Sequence, residues 1–406
     1  MTALIIENAR LKLNGELQTL YVKNGYYVAE LKGDHSTKKL DIQGKLLLPG
    51  LIETHLHLDK ACIIERCQII KGDLQEAIEQ TSNAKLDFSE EDIFERGKAV
   101  LRQAILNGTS YIRTHVEIDP GIGLNSFYAI KRLKDEFSKF IDLQICVFPQ
   151  EGLTNNPGTE ELLCKALELG AEVLGGCPYT DNAPEEHIKR LFKIAKKYDV
   201  DLDFHLDFDL SPEKMMLPFL ISQTNKYKWN YRVTAGHVTK LSAIPLVELQ
   251  QIAIQLAEAG ISITSLPSTD LFLNGRNIEY LQPRGVTPLK PLHKAGVNCS
   301  ISTNNIGNPF TPYGDASLIR QANLYANVSQ LSNRDDLNNC FNWITYSSAK
   351  ILGLKAYGTD VGCKADFIVI DGKSVDEVIA KIKQPELGYK SGRCTFKRPS
   401  PIAYLD

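Results

Sequence analysis

From residue 50 to about 353 the chain alternates short apolar runs with amphipathic helical stretches, and this alternation restricts the fold more than any other feature. Strands are predicted within 51–58 and at 110–116, 143–148, 173–176, 202–205, 232–237, 262–264 and 297–302. Helical patterns lie at 89–106, 126–139, 159–169, 185–198 and 245–258. Ser89 is placed to cap the first of these, and Asn107-Gly108 to stop it. Eight strands, most followed by a helix, match the count and order of a (β/α)8 TIM-type barrel. Helices at about 315–326 and 335–353 are expected to close it.

Both ends of the chain read as β structure. Short strands are predicted at 4–6, 9–13, 17–22 and 26–31, with Asn14-Gly15 and Asn24-Gly25 as two-residue hairpin turns. Strand texture returns at 367–372 and 387–396. The expected organisation is an α/β chain in which residues 1–49 and 354–406 build a small composite β-sandwich around a barrel of residues 50–353.

At 406 residues the chain suits one large catalytic domain with an accessory one. The net charge is −3 and the basic residues form no block, so neither nucleic acid nor a membrane surface is an expected partner. No apolar run is long enough to span a bilayer. The apolar first six residues lack a basic leader, so no secretory signal is expected. Nine cysteines are scattered without a CxxC pair. They read as reduced thiols of a cytoplasmic protein rather than a cysteine zinc site.

Chemistry is expected where strands end, at the C-terminal face of a barrel. His55 and His57, at i and i+2, point to one face of the first strand. His115, His205 and His237 end the second, fifth and sixth strands, Gln150 and Glu151 end the third, and Asn304 and Asn305 follow the eighth. Five of the eight histidines thus fall at strand ends, while His35, His187 and His293 fall on helices or surface loops. Imidazoles gathered in this way point to a metal site, since a catalytic one needs about three protein ligands.

The segments PGLIETHLHLDK (49–60), RTHVEID (113–119), IDLQICVFPQEG (141–152), LDFHLD (202–207), RVTAGH (232–237) and GVNCSISTNN (296–305) carry a resemblance. In order and over nearly the whole chain, they resemble the amidohydrolase superfamily, in the branch of cytosine deaminase and N-isopropylammelide amidohydrolase. GCKADFIVID (362–371) is similar to that family's returning sandwich strand. The resemblance implies that His55, His57 and His205 bind one divalent metal, zinc or iron. It implies that His237 hydrogen-bonds the activated water or the tetrahedral intermediate, and that Gln150 reads an amide-like edge of a flat heterocycle. Lys60 resembles a lysine beside the site in the isopropylammelide type. Phe310 either covers a planar substrate or only packs, and Asn305 adjoins the same rim. A small heterocyclic substrate and a homo-oligomer are implied as well.

Two positions depart from the family pattern. Asn304 stands where the family has a metal-binding aspartate that accepts the water's proton, and an amide cannot act as a base. Phe208 stands where cytosine deaminase has a proton-shuttling glutamate. Asp59, Glu151, Asp207 and Asp209 lie near the site in sequence, with structural roles open to each. Asp315 could equally cap the closing helix, His115 reads as a packing histidine, and Arg113 and Glu117 could pair in the core. The catalytic set is expected to be His237, Lys60 and Asn304. The activity expected is hydrolysis of a non-peptide C–N bond in a planar nitrogen heterocycle. The alternative is a catalytically impaired paralogue that binds a small heterocycle.

Overall fold

The computed structural model describes residues 3–12, 15–31 and 37–399, so Asn14 and His35 lie outside the described residues. The eight expected barrel strands form one parallel sheet in sequence order. They are Leu51–Leu56, Thr109–Glu117, Asp142–Phe148, Val173–Gly176, Asp201–Leu206, Val233–His237, Ile261–Ser265 and Cys299–Ile301. The first strand meets the chain just beyond the eighth. Asn304 N donates to His55 O and His57 N donates to Asn304 O, each at 2.9 Å. This closure brings the two histidines and Asn304 to the same mouth.

The helices wrap the barrel because their apolar residues recur on one face. Glu90–Leu106 buries Ile93, Phe94, Val100, Leu101 and Ala104. It packs beside Asn125–Phe137, which buries Phe127, Ile130 and Leu133. All of these belong to the main core. Ser89 accepts from Asp92 N, and the helix ends at Asn107 before Gly108 at φ +90°, as expected. The single helix expected over 335–353 is instead two, Arg334–Asn342 and Tyr346–Ile351. The break is used. Trp343 O accepts from Ile301 N and Ile344 O from Ile52 N, both at 3.0 Å, so these carbonyls serve barrel strands rather than a helix. The closing helix Leu318–Val328 is capped by Ser317 and not by Asp315, whose carboxylate instead accepts from Arg320 and Ser317 N.

The terminal segments form two four-stranded sheets. One contains Ala3–Ala9, Gln18–Lys23, Tyr26–Val28 and Lys38–Asp41. In the other, Leu46–Pro49 pairs antiparallel with Phe367–Ile370, beside Pro385–Lys390 and Arg393–Lys397. Leu4, Ile6, Val22, Tyr27, Leu47, Phe367 and Val369 share the core between them. Asn24 and Gly25 turn the hairpin at φ +54° and +86°, as that dipeptide predicts. Among the described residues the first strand ends at Ala9 and no separate strand runs over 10–12, and the strand expected at 26–31 ends at Val28.

Glycine is required at one barrel position that bears on the site. A Cβ on Gly175 would lie 2.6 Å from Phe148 Cβ and 3.0 Å from Asp203 O. Gly175→Ala is expected to cost about 1–3 kcal/mol by overpacking, read as a lowered melting temperature. An unchanged melting temperature would show that the strands yield there. Phe148 stacks on His205 at 4.6 Å, so the displacement is expected to reach the barrel mouth.

Candidate functional site

Three imidazoles converge at the barrel mouth. His205 Nε2 lies 3.0 Å from His55 Nε2 and 3.1 Å from His57 Nε2. Three nitrogens bound to one tetrahedral zinc at about 2.0–2.1 Å stand about 3.3 Å apart, so the donor set fits a single divalent ion. Burial, reinforced by the neighbouring imidazoles and Lys60, holds all three rings well below the usual histidine range. They are neutral, with lone pairs free to bind a cation. Beneath them His115 stacks on His55 at 3.7 Å, and His55, His115 and Asp203 bring further potential ligand atoms within 4.8 Å of one another. Asp203 Oδ1 lies 3.4 Å from His115 Nε2 and 4.0 Å from His55 Nδ1.

Asn304 lies at the same barrel mouth. Its backbone is at φ +67°, a left-handed conformation that Asn and Asp adopt more readily than most residues. Its Oδ1 is buried with no hydrogen-bond partner among the described residues. Asn304 lines the same pocket as His57 and His205, with this carbonyl oxygen left unpartnered.

His237 stands across the pocket, 5.7 Å from His205 between ring centroids. Its Nδ1 lies 2.7 Å from Asp270 Oδ1. Asp270 is fully buried at the start of the short helix Pro267–Leu273 that follows the seventh strand. Burial raises its carboxyl, and His237 opposes that shift. When Asp270 is ionised it can only accept, and this contact then places the imidazole proton on Nδ1 and leaves Nε2 with its lone pair.

Lys60 and Gln150 form the polar edge. Lys60 Nζ donates to Glu117 Oε1 at 2.6 Å and to Gln150 Oε1 at 3.1 Å, and it sits 4.5 Å from the Phe310 ring centroid. An ammonium has no acceptor, so it fixes the Gln150 amide with its oxygen towards Lys60 and its NH₂ turned away. Glu117 also accepts from Lys85 at 3.1 Å. Burial alone would raise Glu117, but the two lysines outweigh it and hold the carboxylate low. His57, Lys60, Gln150, His205, His237, Asn304, Asn305 and Phe310 all line one pocket. The structure therefore brings eight of the nine expected site residues to one surface. The ninth, His55, lies immediately behind, within 3.0 Å of His205.

The sequence profile of the amidohydrolase family matches residues 129–398. The chain belongs to the amidohydrolase family. The N-isopropylammelide isopropyl amidohydrolase of Pseudomonas sp. (strain ADP) is 26% identical to it over 97% of each chain. The structure of 5-methylcytosine deaminase from Klebsiella pneumoniae, liganded with 5-fluorocytosine, superimposes with a TM-score of 0.93 at 27% identity over 99% of both chains. That of N-isopropylammelide isopropylaminohydrolase from Burkholderia multivorans gives 0.87 at 25% identity, over 98% of this chain and 99% of its own. Both sides of the branch read from the sequence are thus represented among the relatives of this amidohydrolase.

Other expectations are corrected. Arg113 does not pair with Glu117. It binds Asp203 Oδ2 at 2.8 Å, while Glu117 binds the two lysines. Residues four apart on a strand are separated by about 13 Å, beyond reach of one ion pair. Glu151, whose role was open, bonds Ser82 and Lys85. Asp207 accepts from Met216 N and Leu217 N, which ties it to the start of helix Leu217–Tyr227. Asp209 is half exposed and pairs with Lys240. Asp59 accepts from Glu117 N at 2.8 Å and from Lys60 N at 2.9 Å, and so supports the lysine from below. His187 is on a helix as expected but is buried against Asp181. Asp270, Tyr179, Leu74 and Leu273 line or support the pocket without having been singled out.

Proposed function

We propose that this amidohydrolase hydrolyses a non-peptide C–N bond of a planar nitrogen heterocycle, with a divalent metal, zinc or iron, held by His55, His57 and His205 and contacted by Asn304 Oδ1. The observation that carries this reading is the convergence of three imidazoles, with His205 Nε2 3.0 Å from His55 Nε2 and 3.1 Å from His57 Nε2, in a pocket with one polar edge. When bound, such an ion lowers the pKa of a water towards about 7 and polarises the carbon under attack.

The chain supplies the remaining steps. The Gln150 NH₂ and the Lys60 ammonium bind the amide-like edge of the ring and orient it. Phe310 covers its face. His237 Nε2 takes a proton from the attacking water and delivers it to the departing nitrogen, while Asp270 holds the ring in the tautomer that makes this possible. Asn304 contributes an oxygen but no proton transfer. Asp270 is the carboxylate that supports proton movement here in place of the family's missing acids. Relatives that act on 5-methylcytosine and N-isopropylammelide support a pyrimidine or triazine ring. Nine unpaired cysteines support a reducing, cytoplasmic compartment. Among the described residues no helix is long and apolar enough to cross a membrane. A homo-oligomer acting on a free small molecule is the proposed setting.

Asn304 and Phe208 favour a second reading, an impaired relative that keeps the pocket and binds a heterocycle without turnover. Elemental analysis before and after zinc or iron loading, followed by an ammonia- and amine-release screen over pyrimidines and triazines, separates the two. About one metal per chain with turnover is the expected result. Metal and ring binding without turnover supports the impaired relative, and failure to take up metal overturns the proposal. His57→Ala is expected to abolish metal uptake and activity together while leaving the circular dichroism spectrum unchanged. Retention of a full metal equivalent would remove His57 from the ligand set.

A further inference from the structure

Building on the hydrolase reading, in which Asn305 lines the substrate pocket, we propose that Asn308 is a positioning residue that sets specificity by turning the Asn305 NH₂ into that pocket. Asn308 is fully buried and does not itself line the pocket. Its side chain is tied to three residues that do. Asn308 Oδ1 accepts from Phe310 N at 3.0 Å and from Thr311 N at 3.1 Å. These bonds lie inside a tight turn in which Asn308 and Thr311 also exchange backbone hydrogen bonds at 3.0 Å. Asn308 Nδ2 donates to Lys60 O at 3.2 Å and to Asn305 Oδ1 at 2.7 Å.

The main chain decides which way both amides face. Two backbone N–H groups call for the Asn308 oxygen, and the Lys60 carbonyl calls for its nitrogen. That nitrogen then faces Asn305, and only the Asn305 oxygen can accept from it. The Asn305 NH₂ is the group left pointing away from Asn308. It makes no hydrogen bond with the described residues, and Asn305 lines the pocket. An NH₂ donates and cannot accept. Position 305 therefore selects a substrate atom with a lone pair, a ring carbonyl oxygen or an unprotonated ring nitrogen. A substrate N–H placed there would bury two donors face to face, which is unfavourable. Asn308 thus determines the hydrogen-bond polarity of a point in the pocket that it never touches.

The test is calorimetric binding of cyanuric acid and melamine to the metal-loaded full chain. Both rings have three-fold symmetry, so each shows the same exocyclic group however it turns, oxo in the first and amino in the second. Cyanuric acid is expected to bind at least about 10-fold more tightly, as one unpaired buried donor requires. Asn308→Asp keeps an acceptor for Phe310 N and Thr311 N but offers Asn305 only a second acceptor. The Asn305 amide then turns its NH₂ to residue 308 and its oxygen to the pocket. The preference is expected to fall at least about 10-fold with metal content unchanged. Asn305→Asp puts a carboxylate oxygen in the pocket directly and is expected to do the same, should the first variant fail to fold. In an Asn305→Ala background, Asn308→Asp is expected to leave the ratio of the two affinities where it was, whereas a merely structural role would act in both backgrounds. Three results would overturn the inference and leave the hydrolase reading standing. They are a wild-type preference for melamine, a ratio untouched by folded Asn308→Asp or by Asn305→Asp, and an Asn308→Asp effect that survives in the Asn305→Ala background. Failure of both rings and of cytosine to bind the metal-loaded protein would overturn the two readings together.

Discussion

Asp270→Asn is expected to lower kcat by about 10²–10⁴-fold, the usual worth of a positioned general base, with metal content and melting temperature little changed. The substitution is nearly isosteric and keeps an oxygen for Leu266 N, which now donates to Asp270 Oδ2 at 3.3 Å. What changes is the partner offered to His237 Nδ1. The carboxylate can only accept, so it demands a proton on Nδ1. An amide can turn its NH₂ to that nitrogen, and the imidazole then carries its proton on Nε2, towards the pocket, where it cannot accept another. In serine proteases the corresponding change costs about 10⁴-fold through the wrong tautomer. The effect should fall on kcat more than on KM, because neither Asp270 nor the His237 tautomer is needed to hold the ring against Gln150 and Lys60. An unchanged kcat would show that His237 does not move the proton. Loss of metal would show that Asp270 acts on the fold of the mouth instead.

The residues that were legible and those that were not differ for a physical reason. His55, His57, His205 and His237 could be read because a parallel barrel sends the ends of all its strands to one face. Knowing the strand ends was therefore enough to bring together residues up to 182 positions apart. The closure by Asn304 between His55 and His57 follows from the same register. Side chains beyond the strand ends depend on how each loop folds back, and period-2 and period-3.6 patterns carry little of that. Asp270 sits 33 residues from its partner, one turn into a short helix. Lys85 ends helix Leu74–Lys85, which lies in the long first loop and has too weak an apolar stripe to announce itself. Without that helix the Lys60–Glu117–Lys85 chain could not be assembled, and Arg113 seemed the nearest cation for Glu117. The same gap hid Leu74, which lines the pocket. The broken closing helix was missed because the carbonyls of Trp343 and Ile344 are claimed by strands distant in sequence.

Asn304→Asp is expected to have opposite effects on the protein without and with metal. The position accepts the change sterically, since aspartate is as much at ease as asparagine at φ +67° and the backbone is held on both sides by His55 O and His57 N. Asn304 Oδ1 has no hydrogen-bond partner among the described residues, so an aspartate oxygen would inherit none. Without metal, that places a carboxylate in a buried site that offers it no donor. Such a group either protonates or costs a few kcal/mol, and the melting temperature is expected to fall. With metal, the same charge replaces a neutral amide oxygen beside a dication. Affinity for zinc is expected to rise by at least about 10-fold, equivalent to about 1.4 kcal/mol, and the metal-bound protein is expected to melt higher than the unsubstituted one. The new carboxylate also stands where it can share proton acceptance with His237, so turnover of a ring that the wild-type chain hydrolyses slowly is expected to increase. The crossing of the two melting temperatures is the informative part, because a surface or purely structural asparagine would shift both in one direction. If neither the metal affinity nor the metal-free melting temperature moves, Asn304 does not face the ion, and the charge that completes the site must come from elsewhere. If affinity rises without any gain in turnover, the proton route through His237 and Asp270 is already sufficient, and Asn304 serves to weaken metal binding rather than to limit catalysis.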